Sequence, residues 1–324
     1  MPSWLGQDLE AIRRLMQSEL PAPLHPFMQG LGYDLPGRHD FPLRPFLLLS
    51  AARHYGRSGD RPIRLGAAVQ MIHVASLLHD RLGQTPPAPG PADDPNGAAA
   101  GHRRESTDIL LGDYLFAKAS QVVVRDGDEC IIRDMIRTSA ESAEAKARIV
   151  GLDEPALGLG PRHCFEACAE KLSLLLSLSL RTGALLGETV PEEVRALSEY
   201  GRLLGRTLRI FDDLRFWKQP EEADSCPAAE RALAHPLIVL WEEEGREAWE
   251  GARRELSRPE RTAFESLRER LLRGGWLEAS AREAGREAAS AAERLADLAP
   301  TPERNLLQEL ARRIGESAVW RCLE

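Results

Sequence analysis

The chain is poor in cysteine and in aromatic residues, and it has no long apolar run. Its five cysteines are irregularly spaced, unlike the regular framework of a disulfide-stapled secreted domain. The most apolar segment, LSLLLSLSLRTGALLG, meets Arg181 after nine residues, which is too short to span a bilayer. The N-terminal stretch MPSWLGQDLEAIRRL carries acidic residues where a signal peptide would be basic. These absences predict a cytoplasmic protein without a membrane span.

An excess of positive charge is also missing. Lys and Arg total 42 against 50 for Asp and Glu, so the formal net charge is −8. Without a basic tract or interleaved arginines and aromatics, the sequence does not predict nucleic-acid binding. The composition, 43% hydrophobic and 28% charged over 324 residues, is that of a globular protein long enough to bury a sizeable core.

The residues that are abundant favour helices. Ala, Leu, Arg and Glu dominate, β-branched runs are rare, and apolar residues recur at three- and four-residue spacing. The one long break is QTPPAPGPADDPNGAAAGHRR, residues 84–104, whose five prolines and three glycines predict a flexible surface loop. Because this break is too short to separate two independent domains, we expect residues 1–324 to form a single all-α domain.

Three apolar helices carry charged groups that need an explanation. They supply His73 and Asp80, then Lys171, then Asp212 and Asp213, and 132 residues separate Asp80 from Asp212. Carboxylates from two buried helices that face each other are the usual oxygen-rich cage for phosphate-bound Mg²⁺. Taken singly, each group has a simpler interpretation: a helix-end ion pair for Asp80, a core histidine for His73 and a solvent-reaching lysine for Lys171.

The order of these segments resembles the trans-isoprenyl diphosphate synthases, also called polyprenyl synthetases. MIHVASLLHD is similar to the helix that leads into the family's first aspartate-rich motif, DDxxD, and ILLGDYLFAKA to the helix after it. KLSLLLSLSLRTGALLG resembles the lysine-bearing helix, GRLLGRTLRIFDDLRFW the helix of the second aspartate-rich motif, and PLRPFLLLSAARHYG the early GKRLRP segment. The resemblance spans roughly the whole chain, and several ordered motifs are more specific than any single one.

The resemblance implies an isoprenoid (class I terpenoid) synthase fold, a helical bundle around a central cavity. The implied reaction condenses an allylic diphosphate with isopentenyl diphosphate, uses Mg²⁺ and releases pyrophosphate. Prenyl diphosphates are the implied ligands, and a homodimer or a heterodimer with a related synthase is the implied assembly. The residues that match the family's positions fall into four roles: catalysis (Asp80, Lys171), substrate binding (Arg44, His73, Lys171), metal binding (Asp80, Asp212, Asp213) and cavity depth (Ala75, Ser76).

The motifs depart from the family's pattern at several positions. Arg81 and Gln84 follow Asp80 where the first motif has carboxylates, and Phe216 ends the second motif. Since residues i and i+4 share a helix face, each lost carboxylate removes a ligand from a shared metal cluster. Phe41 and Pro42 stand where the family's lysine and first arginine bind phosphate. In addition, Arg209 lies four residues before Asp213, a spacing that predicts an ion pair competing with metal.

These departures leave two functions open. The first is a prenyltransferase whose condensation reaction is impaired when the chain acts alone. The alternative is a non-catalytic or regulatory subunit that pairs with an active prenyl synthase. Arg81 and Arg215 both stand inside the altered motifs, and a guanidinium binds phosphate oxygens directly in a fork geometry. Our hypothesis is therefore that these two arginines bind the diphosphate in place of part of the metal charge.

Overall fold

Every regular element that the structure describes is a helix. The computed structural model describes residues 2–21, 42–80, 95–150, 160–218, 233–258 and 261–323, and within these ranges it contains twelve helices and no strand. The predicted all-α class is thereby confirmed. The helices are α1 (Ser3–Glu19), α2 (Leu43–His54), α3 (Asp60–Asp80), α4 (Pro95–Asp126), α5 (Glu129–Val150), α6 (Gly160–Leu185), α7 (Pro191–Lys218), α8 (His235–Glu244), α9 (Arg246–Leu256), α10 (Arg261–Arg273), α11 (Trp276–Arg294) and α12 (Pro302–Leu323).

The start of α4 corrects the predicted loop boundary. Residues 95–104, the last part of the loop predicted for 84–104, are helical. A proline suits the first position of a helix for two reasons. An N–H at this position would have no partner within the helix, so its absence costs nothing, and the φ angle of proline is already helical. The alanine-rich stretch that follows then favours continuation. Residues 84–94 lie outside the described part of the chain.

The chain divides into two compact units. Unit 1 contains residues 1–134 and 181–189, and unit 2 contains residues 135–180 and 190–324. The single domain expected from the sequence stays a prediction. Across the described ranges, none of the helices combines the length and the apolar character needed to cross a bilayer.

Unit 1 is organised around α3, which packs against α1, α2 and α4. Glycine permits the close contact with α1, because a Cβ added at Gly66 would lie 2.8 Å from Ile12 Cδ1. Gly183, near the end of α6, approaches α2 so closely that an added Cβ would lie 2.8 Å from Ala51 Cβ. A nearly buried ion pair also lies in this unit, with Arg181 Nε 2.7 Å from Asp134 Oδ2. Close glycine contacts and several ion pairs, of which Arg181–Asp134 is one and Arg53–Asp8 another, therefore help to hold the helices of unit 1 together.

Unit 2 has a core to which the helices α6 to α11 all contribute. Its largest buried members are aromatic and leucine side chains, among them Phe165, Trp217, Leu237, Leu267 and Trp276. Helix α11 also packs against α12, where the Tyr200 hydroxyl of α7 donates a hydrogen bond to the Leu307 carbonyl at 2.7 Å. This core fixes the positions of α7 and α8, which carry the polar groups described below.

Candidate functional site

In unit 1, one face of α3 is polar and less buried than the rest of the helix. From Leu65 onward most positions are buried, and the half-buried ones on this face are Gln70, His73, Ser76, Leu77 and Asp80, which we call the α3 stripe. Their spacing of three and four residues places them on one side of the helix. At 1.5 Å per residue the stripe is about 15 Å long. His79 lies off this face, with its Nε2 3.2 Å from Asp113 Oδ1 of α4.

The N-terminal end of the α3 stripe is closed by α1 and bordered by α2. Ile12 of α1 covers the stripe's face at Gly66, and Pro45 Cβ lies 3.9 Å from the same added Cβ. Arg44, the residue before Pro45, is half-buried in the first turn of α2. The predicted residues His73 and Asp80 therefore share one face of α3, and Arg44 is the sequence neighbour of Pro45, which borders this face. Their role in binding a diphosphate stays a prediction.

The two residues assigned to cavity depth lie differently on α3. Ser76 belongs to the α3 stripe, whereas Ala75 is only 2% exposed and lies on the opposite face of the helix. Their control of chain length stays a prediction, and Ser76 is the better placed of the two. Arg81 lies outside the described residues.

In unit 2, a seam of serine and glycine holds α6 and α7 side by side. A Cβ added at Gly205 would lie 2.5 Å from Ser173 Cα, and one added at Gly201 would lie 2.8 Å from Ser177 Cα. The Ser177 hydroxyl donates to the Ser198 carbonyl of α7 at 2.8 Å, and the Ser173 hydroxyl lies within hydrogen-bond distance of the Ala169 carbonyl (2.7 Å) and of the Arg202 carbonyl of α7 (3.0 Å). The seam makes the helices that carry Lys171 and Asp212 direct neighbours. Lys171 is half-buried, and both Asp212 and Arg215 are exposed.

Asp213 is buried and engaged by two partners of its own unit. Arg209 Nη2 lies 3.1 Å from its Oδ1, which confirms the predicted ion pair. The backbone N–H of His235 donates to its Oδ2 at 2.9 Å, and this N–H belongs to the first turn of α8, whose N-cap residue supplies no side-chain acceptor. Burial raises the pKa of the Asp213 carboxyl, while Arg209 and the His235 N–H act in the opposite direction. Asp213 thus caps α8 and neutralises Arg209.

Sequence reasoning missed the polar cluster behind the start of α8. The His235 imidazole is fully buried, with Nδ1 2.9 Å from Ser280 Oγ and Nε2 3.3 Å from Glu283 Oε1. Because the Ser280 hydroxyl donates to the Trp276 carbonyl at 2.8 Å, its oxygen accepts from Nδ1–H. The neighbouring His235 ring and the Arg162 guanidinium, whose Nη1 lies 3.2 Å from Glu283 Oε1, hold the pKa of the Glu283 carboxyl at about 2. A histidine within the apolar run LAHPLIVLW was the available signal.

The last position of the second motif is part of the apolar packing of unit 2. Phe216 packs edge-on against Phe264, with ring centroids 5.4 Å apart, and Trp217 stacks on Phe264 at 5.2 Å. A carboxylate at position 216 would lose these contacts and meet aromatic rings in their place. The substitution is therefore accommodated by the surrounding residues of α7 and α10.

The carboxylates of the second motif differ in their fit to a metal. Within the described ranges, no group of three or more His, Cys, Asp or Glu residues is arranged to hold a metal ion. Both oxygens of Asp213 already have cationic or N–H partners, whereas Asp212 is exposed. Asp213 is therefore engaged within its own unit, and the metal-binding role of Asp212 and Asp213 stays a prediction. The predicted meeting of Asp80 with Asp212 involves both units and stays a prediction.

Comparisons with known proteins agree on one family. No protein-family model matches the sequence. The chain is 30% identical over 180 residues to the short chain isoprenyl diphosphate synthase of Methanothermobacter thermautotrophicus, covering 53% of this chain and 52% of that protein. The chain thus spans about half of the length of this curated relative, and 63% of the octaprenyl diphosphate synthase of Escherichia coli, to which it is 24% identical.

Two solved structures match nearly the whole chain. The decaprenyl diphosphate synthase of Rhodobacter capsulatus has a TM-score of 0.77 at 26% identity, covering 97% of this chain and 96% of that one. A polyprenyl synthase of Caulobacter crescentus, complexed with calcium and isoprenyl diphosphate, has a TM-score of 0.79 at 23% identity, covering 96% and 94%.

Proposed function

Because the chain belongs to the trans-isoprenyl diphosphate synthase family, we propose that it binds prenyl diphosphates and condenses them slowly when it acts alone. The observation that carries this proposal is the order of Arg44, His73 and Asp80 beside and along the α3 stripe. The Caulobacter relative, which holds isoprenyl diphosphate and calcium, supports the ligand class and the use of a divalent cation.

Each proposed role follows from the chemistry of the side chain. The Arg44 guanidinium and the His73 imidazole donate hydrogen bonds to the diphosphate of isopentenyl diphosphate. The Lys171 ammonium offsets the charge that develops on pyrophosphate as it leaves the allylic substrate. Mg²⁺, when bound, would neutralise phosphate charge; the carboxylate proposed to bind a metal ion is Asp80 in unit 1 and Asp212 in unit 2. Arg81 and Arg215 are proposed to assist by direct phosphate contact.

Slow condensation follows from the engagement or loss of expected charges. Asp213 is committed to Arg209 and to the start of α8, and Phe216 is packed against Phe264. The sequence also has Phe41 and Pro42 where the family has phosphate-binding cations. Each such charge-assisted contact contributes about 1.5–3 kcal/mol, so the loss of one slows the reaction about tenfold or more. The same observations favour the second candidate function, a regulatory subunit that pairs with an active prenyl synthase.

An assay with both substrates tests the proposal. The purified chain is incubated with isopentenyl diphosphate, an allylic diphosphate and Mg²⁺, beside a related synthase. We expect saturable binding of both diphosphates and turnover about tenfold or more below that of the relative. Lys171→Met should weaken allylic diphosphate binding about tenfold, whereas Lys118→Met, which removes a partner of Glu19, should leave it unchanged.

The outcomes separate the candidates. If neither diphosphate binds, the proposal fails. If both bind without turnover, and a co-expressed synthase changes its product lengths, the regulatory function is correct. Repeating the titration with EDTA tests the arginine hypothesis, because binding that the chelator abolishes rules out direct replacement of metal by Arg81 and Arg215.

We further propose that the chain forms a homodimer through α4. Ile109, Leu110, Phe116 and Val124 are 40%, 69%, 39% and 60% exposed and lie on one face of this helix. Two copies of α4 in antiparallel orientation, centred on the exposed and small Ala117, would place Leu110 against the partner's Val124. Such self-complementary apolar pairing is what a two-fold interface requires.

Charge placed on this face should dissociate the dimer. We expect the double variant Leu110→Glu/Val124→Glu to have the mass of a monomer by light scattering, because each dimer would bury four carboxylates. Leu272→Glu, at a similarly exposed site in unit 2 (41%), is the matched control and should keep the mass of the wild type. A wild-type chain that is monomeric at micromolar concentration would contradict the proposal.

A further inference from the structure

Gln70 has a buried polar atom that the packing of unit 1 does not satisfy. Its Oε1 is excluded from solvent and has no hydrogen-bond partner among the described residues. An unsatisfied buried acceptor is destabilising, and native proteins retain few of them. An apolar side chain of the same length would fit this helix without that cost. A bound molecule is one partner that would satisfy this position.

The position of Gln70 suggests which molecule that is. Gln70 is the first residue of the α3 stripe after Gly66, where Ile12 closes the face and Pro45 borders it. His73 follows one turn later on the same side of α3. Gln70 therefore lies between His73 and the start of α2, which carries Arg44. Arg44 and His73 are the residues proposed above to hold the diphosphate of isopentenyl diphosphate.

We propose that Gln70 is a further substrate-binding residue, whose amide donates a hydrogen bond to the diphosphate held by Arg44 and His73. A half-turn of the terminal amide exchanges its oxygen for its NH₂ group, so the buried position can present a donor to an anionic oxygen. The neutral amide donates to an anionic oxygen without adding negative charge, whereas a carboxylate at position 70 would repel the ligand. This inference rests on the proposed function and deepens it.

Two variants of nearly equal size separate a hydrogen bond from a structural role. Gln70→Met removes the donor, and Gln70→Glu keeps the shape but adds a negative charge. Measured by calorimetry, the affinity for isopentenyl diphosphate should fall about fivefold in Gln70→Met, the value of one hydrogen bond. It should fall about a hundredfold in Gln70→Glu, because like charges meet in a partly buried site. Inorganic pyrophosphate should show the same order.

The matched control is Gln308→Glu in unit 2, where the glutamine amide donates to the Ala292 carbonyl at 3.0 Å. This variant adds the same charge on a helix of the other unit and should leave both affinities within twofold. Urea unfolding of each variant provides the structural readout. Gln70→Met should be at least as stable as the wild type, since it removes an unsatisfied atom.

Each outcome decides between the proposals. If the wild type binds and both Gln70 variants bind within twofold of it, the inference is overturned while the proposed function stands. If the wild type binds neither isopentenyl diphosphate nor pyrophosphate, the proposed function fails and this inference fails with it. Should Gln70→Glu prevent folding, the fivefold loss in Gln70→Met carries the test alone.

Discussion

Asp213→Ala is expected to lower the free energy of unfolding by about 3–5 kcal/mol, the cost of removing one partner from a buried ion pair. The variant would leave the Arg209 guanidinium, 15% exposed, without its carboxylate at 3.1 Å. It would also remove the acceptor for the His235 backbone N–H at the start of α8. Since α8 contributes Leu237 and Ile238 to the core of unit 2, the loss extends beyond the two direct contacts.

The neighbouring carboxylate is the matched control. Asp212 is exposed, so Asp212→Ala should change stability by about 0.5 kcal/mol or less. We expect it instead to weaken Mg²⁺-dependent pyrophosphate binding, measured by calorimetry beside urea unfolding of both variants. The opposite pattern, with Asp213→Ala stable but unable to bind pyrophosphate with Mg²⁺, would establish Asp213 as a metal ligand and refute its structural role.

Arg181→Met is the second substitution with a large expected effect, again about 3–5 kcal/mol. Arg181 and Asp134 side chains are 13% and 9% exposed and lie 2.7 Å apart. The methionine would leave a carboxylate that is removed from solvent and lacks this partner. Arg181 follows the most apolar segment of the sequence. Its partner, Asp134, lies 47 residues earlier in the chain. Urea unfolding of the variant measures the cost.

A double-mutant cycle identifies the cause of this loss. Arg181→Met/Asp134→Leu should regain much of the stability, since an apolar pair can replace a buried ion pair at little cost. Arg273→Met is the control: Arg273 lies 3.2 Å from Glu269, but its side chain is 78% exposed, so its loss should be about 0.5 kcal/mol or less. A double variant no more stable than Arg181→Met would contradict an ion-pair explanation.

The aspartate pair shows which contacts of the site could be predicted from the sequence and which could not. The i,i+4 spacing of Arg209 and Asp213 correctly predicted an ion pair, because helix geometry alone brings such residues together. The same sequence did not reveal that Asp213 also caps α8. That contact joins residues 22 positions apart, one on α7 and one at the start of α8, and no local pattern encodes it. The cluster of His235, Ser280 and Glu283 was missed for the same reason.

The end of the predicted loop was wrong for a local reason. Pro95 was taken as loop chemistry, yet it is the first residue of α4. Proline is common both in loops and at the first position of a helix. The residues that follow therefore decide between the two, and the alanines after Pro95 favour the helix.

Helical class, the resemblance to prenyl diphosphate synthases and the identity of the polar residues on α3 were determined by the sequence alone, since they depend on periodicity and on motifs of neighbouring residues. The tertiary structure decided which of those residues share a surface. It placed Ser76 on the α3 stripe and Ala75 opposite it, brought Arg44 beside the stripe through the Pro45–Gly66 approach, and committed Asp213 to α8. These outcomes depend on contacts between distant segments, whose energies come from burial and hydrogen bonding that a linear pattern does not record.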